Sequence, residues 1–149
     1  MSNPQVSIRK ATTNDISQII AWLAGELHAQ ARNSVANDAI LASFEGAHYN
    51  DQTLVVVDAA GTRVLAFACW AVNQIELFSV RSELRRQGYG KKLAERVVDE
   101  IRQSDTPWTR VLLECKPVSS VPFWASLGFT QVPGRRSGIL MQLDLRLNR

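Results

Sequence analysis

The chain is 149 residues long, carries a formal net charge of +3 and is 46% hydrophobic. This is the size of one domain with its own core, so we expect a single domain over residues 1–149. No apolar run approaches the ~20 residues that span a bilayer, and the N-terminus lacks the layout of a signal peptide. We therefore expect a cytoplasmic protein without membrane contact.

Cysteine usage and charge pattern argue against two kinds of site. The two cysteines, Cys69 and Cys115, are too few for a disulfide framework, and no metal-ligand spacing is present. The basic residues are not interleaved with aromatic ones in the manner of a nucleic-acid-binding surface. We expect no bound metal and no nucleic-acid partner.

The first third of the chain predicts one strand and two helices. Apolar and polar residues alternate over Val6–Lys10, as in a half-buried strand. Thr12 and Asp15 have the spacing of an acidic capping box, and an amphipathic helix pattern follows them. A second helix is predicted over Ala36–Phe44.

The rest of the chain predicts strands that alternate with two further helices. Ala60–Gly61 is a hairpin turn between the first two of these strands, Ser119 is expected to cap the last helix, and Gly128 to end it. The predicted elements are the strands Leu54–Val57, Val64–Val72 and Ile75–Val80, the helix Leu93–Ile101, the strand Val111–Cys115, the short helix before Gly128, and a last hairpin of Phe129–Val132 and Ile139–Leu145.

A basic glycine loop, Arg85–Gly90, lies between a predicted strand and a predicted helix. Backbone N–H groups at a helix start bind phosphate readily, and glycine lets the backbone approach an anion closely. Gly88 and Gly90 are not followed by the Gly-Lys-Ser/Thr of a P-loop, and the third glycine of a dinucleotide fingerprint is missing. The loop therefore indicates an anion site of another kind.

Two motifs resemble those of the GCN5-related N-acetyltransferases, the GNAT superfamily. Val80 followed by Arg85-x-x-Gly88-x-Gly90 resembles the family's coenzyme-binding motif A, Arg/Gln-x-x-Gly-x-Gly/Ala. Phe123-Trp124-x-x-Leu127-Gly128-Phe129 resembles its later Phe-Tyr-x-x-Leu-Gly-Phe signature. The resemblance is strongest from Ile75 to Phe129.

This resemblance implies a fold and a coenzyme site. The fold is α/β, with a mixed, mostly antiparallel sheet of six to seven strands flanked by helices. Its central strands, here Ile75–Val80 and Val111–Cys115, splay apart and admit the pantetheine arm of acetyl-coenzyme A. The residues expected to bind the coenzyme are Phe78, Ser79, Val80, Arg85, Arg86, Gln87, Gly88, Tyr89, Gly90, Lys91, Phe123 and Trp124.

The resemblance also implies direct acetyl transfer to a primary amine of a small molecule or a peptide, with a homodimer as one assembly. An alkylamine is mostly protonated at neutral pH and needs a general base. Glu76 and Glu114, in the two splayed strands, are the candidates. The alternative is that either glutamate pairs with Arg81 or Arg110.

Trp124 departs from the family pattern, because a tyrosine that protonates the leaving thiolate usually stands there. An indole N–H is a donor only and supplies no acidic proton. Tyr49 becomes the candidate acid, with Cys115 and solvent as alternatives. The same departure sustains a second hypothesis, a non-catalytic module that binds acetyl-coenzyme A and regulates a partner.

Overall fold

The computed structural model describes residues 6–30, 51–115, 118–134 and 138–146. The predicted helix Ala36–Phe44 lies outside these residues. The strands are β1 (Ser7–Lys10), β2 (Thr53–Val57), β3 (Val64–Ala71), β4 (Gln74–Val80), β5 (Arg110–Glu114), β6 (Thr130–Gln131) and β7 (Leu140–Asp144). The helices are α1 (Thr13–Gln30), α2 (Tyr89–Arg102) and α3 (Val121–Ser126), with 3₁₀ turns at Ser82–Leu84 and Val118–Ser120.

All of the strands described join one sheet. Its order is β1-β2-β3-β4-β5-β7-β6, and β4 and β5 are the one parallel pair among the described strands. The predicted mixed and mostly antiparallel sheet is therefore confirmed. In the described residues, no helix is long and apolar enough to cross a membrane.

Apolar side chains cover both faces of the sheet. Leu93, Val97 and Ile101 of α2 are buried against one face, together with residues of β2, β3 and β5. Ile16 and Ile19 of α1 are buried against the other face, where they join the odd-numbered valines of β2. The period of 3.6 in the helices and of 2 in the strands explains why each element buries one side.

The predicted capping box at the start of α1 is confirmed. The Thr12 N–H donates to the Asp15 carboxylate at 2.8 Å, and the Asp15 N–H donates to the Thr12 hydroxyl at 3.3 Å. Asp15 is only 2% exposed and also forms a two-point ion pair with Arg9 of β1. Burial disfavours the charged carboxylate, but these hydrogen bonds outweigh it and lower the pKa of Asp15.

The start and the end of α3 give different outcomes for the sequence prediction. The prediction that Ser119 caps this helix is wrong, because Ser119 lies within the preceding 3₁₀ turn and Ser120 is the N-cap residue. The Ser120 side chain makes no capping hydrogen bond. Gly128 ends the helix as predicted, with a φ of +97° that favours glycine.

Candidate active site

The two central strands separate after a short stretch of pairing. β4 and β5 pair only at Gln74 with Leu112 and at Ile75 with Leu113. β4 then continues as far as Val80 without β5 beside it. The predicted splay of the central strands is thus confirmed, and it opens one edge of β4 from Glu76 onward.

A β-bulge at Glu76 accompanies this separation. Ile75 and Leu77 of β4 pair with the consecutive residues Trp70 and Cys69 of β3, so Glu76 is the extra residue. A bulge bends its strand and increases the local twist. The bend therefore occurs at the point where β4 leaves β5.

Backbone alternation directs the amide of Val80 into the opening between the strands. The Arg81 N–H donates to the carbonyl of Leu65 on β3 at 3.1 Å. Successive residues of an extended strand point their N–H groups to opposite edges, so the N–H of Val80 points away from β3. Phe78 and Val80 pair with alternate residues of β3, so the N–H of Phe78 also faces the opening.

The glycine loop follows immediately and ends at the start of α2. The Arg85 side chain folds back, and its Nε donates to the carbonyl of Val80 at 3.3 Å. Gly88 is the N-cap residue of α2, with φ +87°, and its carbonyl accepts the N–H of Lys92 at 3.2 Å. The N–H groups of the first helical residues before Lys92 have no acceptor within the helix. These groups make the start of α2, at the positive end of the helix dipole, a candidate anion site.

The approach to this anion site is open and basic. A Cβ atom built on Gly88 would have no heavy atom within 4 Å. Arg85, Arg86 and Lys91 are exposed around it, and the first turn of α2 carries no acidic residue. Arg86 has a φ of +67°, a left-handed conformation that a non-glycine residue adopts at some cost. The loop thus adopts this left-handed conformation with its basic side chains exposed.

Aromatic side chains form the wall between the open edge of β4 and α3. The ring of Trp124 lies 4.9 Å from the Phe78 and Phe123 rings and 5.3 Å from the Phe129 ring, measured between centroids. Trp124 is only 5% exposed, whereas Phe78 and Phe123 are partly exposed. Trp124 thus packs in the core, and Phe78 and Phe123 are the aromatic residues that extend toward the surface.

The two candidate bases differ in their surroundings. Glu76 is exposed, and no residue in the described segments forms a hydrogen bond or an ion pair with its carboxylate. Its charge acts on Cys69 of β3: burial first, and then the Glu76 carboxylate, raises the pKa of Cys69 to about 12. Glu114 lies against Gly138, where an added Cβ would be 2.8 Å from its Oε1.

The two arginines considered as partners of these glutamates bind other groups. Arg81 Nε donates to the carbonyl of Val64 at 2.7 Å, and its guanidinium lies 4.5 Å from the ring of Trp22 on α1. Arg110 donates to the side chain of Gln142 on β7 at 3.1 Å. The sequence places Arg81 beside the basic loop, but its contacts with β3 and α1 could not be found from sequence spacing.

Three further expectations concern residues around this centre. Tyr49, the candidate acid, lies outside the described residues. Tyr89 is partly buried and packs against the core that contains the buried side of α2, and Ser79 is half-buried in β4. Across the described segments, no group of three or more His, Cys, Asp or Glu residues could hold a metal ion.

Comparison with protein families gives one match over most of the chain. Residues 23–142 match the model of a family described as an acetyltransferase (GNAT) domain. Comparison with curated proteins gives no significant match.

Solved structures with the same fold include three of similar length. The protein PH1933 of Pyrococcus horikoshii OT3 is 16% identical with a TM-score of 0.73, covering 94% of this chain and 98% of its own. The protein yncA of Salmonella typhimurium, solved with its cofactor acetyl-CoA, is 22% identical with a TM-score of 0.68, covering 94% of each chain. The PaiA N-acetyltransferase of Thermoplasma acidophilum, solved with coenzyme A, is 16% identical with a TM-score of 0.69, covering 94% and 99%. These likenesses establish the shared fold.

Proposed function

The chain belongs to the GNAT acetyltransferase family, and on this basis we propose that it transfers the acetyl group of acetyl-coenzyme A to a primary amine. Acetyltransferase is the class of enzyme that the family indicates. The observation that carries the proposal is the open edge of β4, which leads from Phe78 and Val80 directly to the anion site at Gly88. An elongated thioester with a pyrophosphate needs both features together.

The residues of the site fit this coenzyme. The N–H groups of the first turn of α2, with Arg86 and Lys91 exposed beside them, suit a pyrophosphate. The backbone of Phe78 and Val80 offers the hydrogen bonds of a missing strand to the amides of a pantetheine arm. The N–H of Val80 is the donor that we assign to the thioester oxygen, on which negative charge develops during acyl transfer.

Of the two candidate bases, the site favours Glu76 over Glu114. The amine nitrogen attacks the carbonyl carbon, a C–N bond forms, the C–S bond breaks and the coenzyme leaves as a thiolate. A protonated acceptor must first lose one proton to attack, and the exposed Glu76 carboxylate takes it directly or through a water molecule. The nitrogen loses a second proton after the C–N bond forms, which balances the proton that the thiolate takes up. Glu114, which contacts the Gly138 backbone position, is the second candidate. We assign protonation of the thiolate to solvent or to Tyr49.

Two finer points of the proposal are the acceptor and the location. The acceptor is a small-molecule or peptide amine, and a screen of such amines with detection of released thiol would identify its class. If none of these amines causes thiol release, the alternative is favoured, a module that binds acetyl-coenzyme A without catalysis. The cytoplasmic location remains a prediction that cell fractionation would test.

Calorimetry with two matched glycine variants tests coenzyme binding. Gly88→Asp places bulk and negative charge beside the proposed pyrophosphate position and should weaken acetyl-coenzyme A binding by about tenfold or more, or ~1.4 kcal/mol. Gly134→Asp is the control, because Gly134 also has a positive φ, +85°, and open space around its Cβ position. Equal affinities in the two folded variants would overturn the proposed function.

A further inference from the structure

We propose that Arg81 is a positioning residue that fixes the direction of the Val80 N–H group. The inference rests on the proposed function, in which that N–H group binds the thioester oxygen. Arg81 follows the last residue of β4, and it is attached to β3 through both its backbone and its side chain.

The end of β4 needs such an attachment because one of its edges is open. Among the described strands, β3 is the only neighbour of β4 from Glu76 onward, and the chain leaves the sheet after Val80 into the 3₁₀ turn Ser82–Leu84. The hydrogen bond from the Arg81 N–H to Leu65 at 3.1 Å is the last one between this strand and β3. This bond holds the peptide group between Val80 and Arg81, and so it fixes the end of the strand segment that carries the Val80 N–H.

The Arg81 side chain adds a second hydrogen bond to β3, at the residue that precedes Leu65. Its Nε donates to the carbonyl of Val64 at 2.7 Å, a charge-assisted hydrogen bond. The N–H of the same residue, Val64, donates to the side chain of Gln18 on α1 at 3.0 Å. The Val64 backbone is thereby held from α1 on one side and from the end of β4 on the other.

The guanidinium group is itself held in place by α1. It lies 4.5 Å from the centroid of the Trp22 ring, a cation–π contact, and the Trp22 ring packs edge-on against Phe67 of β3 at 5.1 Å. A planar guanidinium can stack on a ring while its Nε points at a carbonyl, whereas a lysine ammonium cannot reproduce both contacts. Arg81 therefore joins α1, β3 and the end of β4 at one point.

The test follows the thioester carbonyl directly. The probe is acetyl-coenzyme A labelled with carbon-13 at that carbonyl, and its infrared stretching frequency is compared between the free and the bound state. In the wild-type protein, the hydrogen bond from Val80 should lower the frequency. In Arg81→Met the bound carbonyl should no longer show the lowered stretching frequency. Calorimetry should show an affinity for acetyl-coenzyme A comparable to that of the wild type, because the loop at Gly88 is unchanged.

Further variants make the result specific. Arg63→Met is the matched control: Arg63 is exposed, pairs with Glu83 at 2.8 Å and precedes Val64, and its removal should leave the shift intact. If Arg81→Met does not fold, Arg81→Lys carries the same comparison, because it retains the charge but not the guanidinium geometry.

The outcomes separate this inference from the proposed function. A bound carbonyl with the same lowered frequency in the Arg81 variant would overturn the inference, as would equal losses in the Arg81 and Arg63 variants. Loss of coenzyme binding in the Arg81 variant alone would also overturn it. No shift in a wild-type protein that binds acetyl-coenzyme A would overturn the assignment of Val80 but leave coenzyme binding standing. No binding by the wild-type protein would overturn the proposed function itself.

Discussion

Gly90 lies directly against the ring of Phe123, because a Cβ atom built on Gly90 would be 3.3 Å from the Cζ atom of that ring. The same Cβ would be 3.5 Å from a methyl carbon of Val80. The small size of Gly90 therefore lets the first turn of α2 approach both α3 and the end of β4. The two sequence motifs, which are far apart in the chain, therefore lie in contact in the fold.

Replacing Glu76 tests its proposed role as the general base. Glu76→Gln keeps the size of the side chain but cannot accept the amine proton, so the rate should fall by about 10²–10⁴-fold. The loss should be largest at low pH, where little free amine is present. The measurement is kcat/KM against pH with an acceptor from the amine screen. Glu95→Gln, at an exposed position of α2, is the control, and full activity of Glu76→Gln across the pH range would exclude the role.

Replacing Trp124 separates packing from contact with the coenzyme. Trp124→Phe should cost about 2 kcal/mol of unfolding free energy, because Trp124 fills a cluster with three other aromatic rings. We also expect the fluorescence change on adding acetyl-coenzyme A to shrink in this variant, because Trp124 touches Phe78 at the open strand edge. Trp108→Phe is the control. An identical fluorescence change with and without Trp124 would leave this residue with the packing role alone.

Trp124→Tyr addresses the leaving group. This variant supplies the phenol that the family pattern usually has at this position, and it should raise kcat if protonation of the thiolate limits the rate. An unchanged kcat in a folded variant would mean that protonation does not limit turnover.

The ion pair of Asp15 predicts a specific dependence of stability on acid. The pKa of Asp15 in the folded protein lies below its ordinary value of 3.8, despite burial, because Arg9 and Thr12 donate hydrogen bonds to it. Its stabilising contribution is therefore complete above the unfolded-state pKa and is lost as the pH falls through the lower folded-state pKa. Asp15→Asn should cost about 2 kcal/mol at pH 7. In urea unfolding experiments, the difference from wild type should shrink below about pH 4.

An exposed aspartate gives the control for this prediction. Asp99 lies on α2 with its carboxylate 3.3 Å from Arg102, at the surface. Asp99→Asn should change the unfolding free energy by less than about 1 kcal/mol. A gap between wild type and Asp15→Asn that persists unchanged into strong acid would contradict the role assigned to the ion pair.

The turn between β3 and β4 contains a residue that the backbone does not favour. Val72 has a φ of +62° and is 59% exposed, so its β-branched side chain gains little from packing. Val72→Gly should raise the unfolding free energy by about 1 kcal/mol, because glycine adopts this φ without strain. Ala71→Gly, one residue earlier in β3, should lower it instead. If both substitutions lower the unfolding free energy measured by chemical denaturation, the strain assigned to Val72 is refuted.

Local patterns in the sequence predicted most of the individual elements. The capping box of Thr12 and Asp15, the turn at Gly61 and the helix end at Gly128 depend on neighbours within a few residues, and all three are found. The buried face of α2 followed from its apolar period. The glycine loop was located in the same way, because a strand, a basic turn and a helix start are adjacent in the chain.

The family motifs also predicted the long-range arrangement of the sheet. The splay of β4 and β5 was predicted from the resemblance, and the pairing confirms it. The failed prediction was local: Ser119 and Ser120 are equally suitable caps by composition, and the 3₁₀ turn before α3 decided between them.

The tertiary structure alone decided which groups meet at the site. The bulge at Glu76 depends on the register against β3, and no pattern within β4 specifies a register with another strand. Arg81 belongs to a basic stretch in the sequence, yet its partners are Val64 and Trp22, which lie on separate elements. Sequence order thus determined the elements and the position of the glycine loop between a strand and a helix, because these depend on short-range interactions. Side-chain partners depend on packing between distant segments, so only the folded chain could assign them.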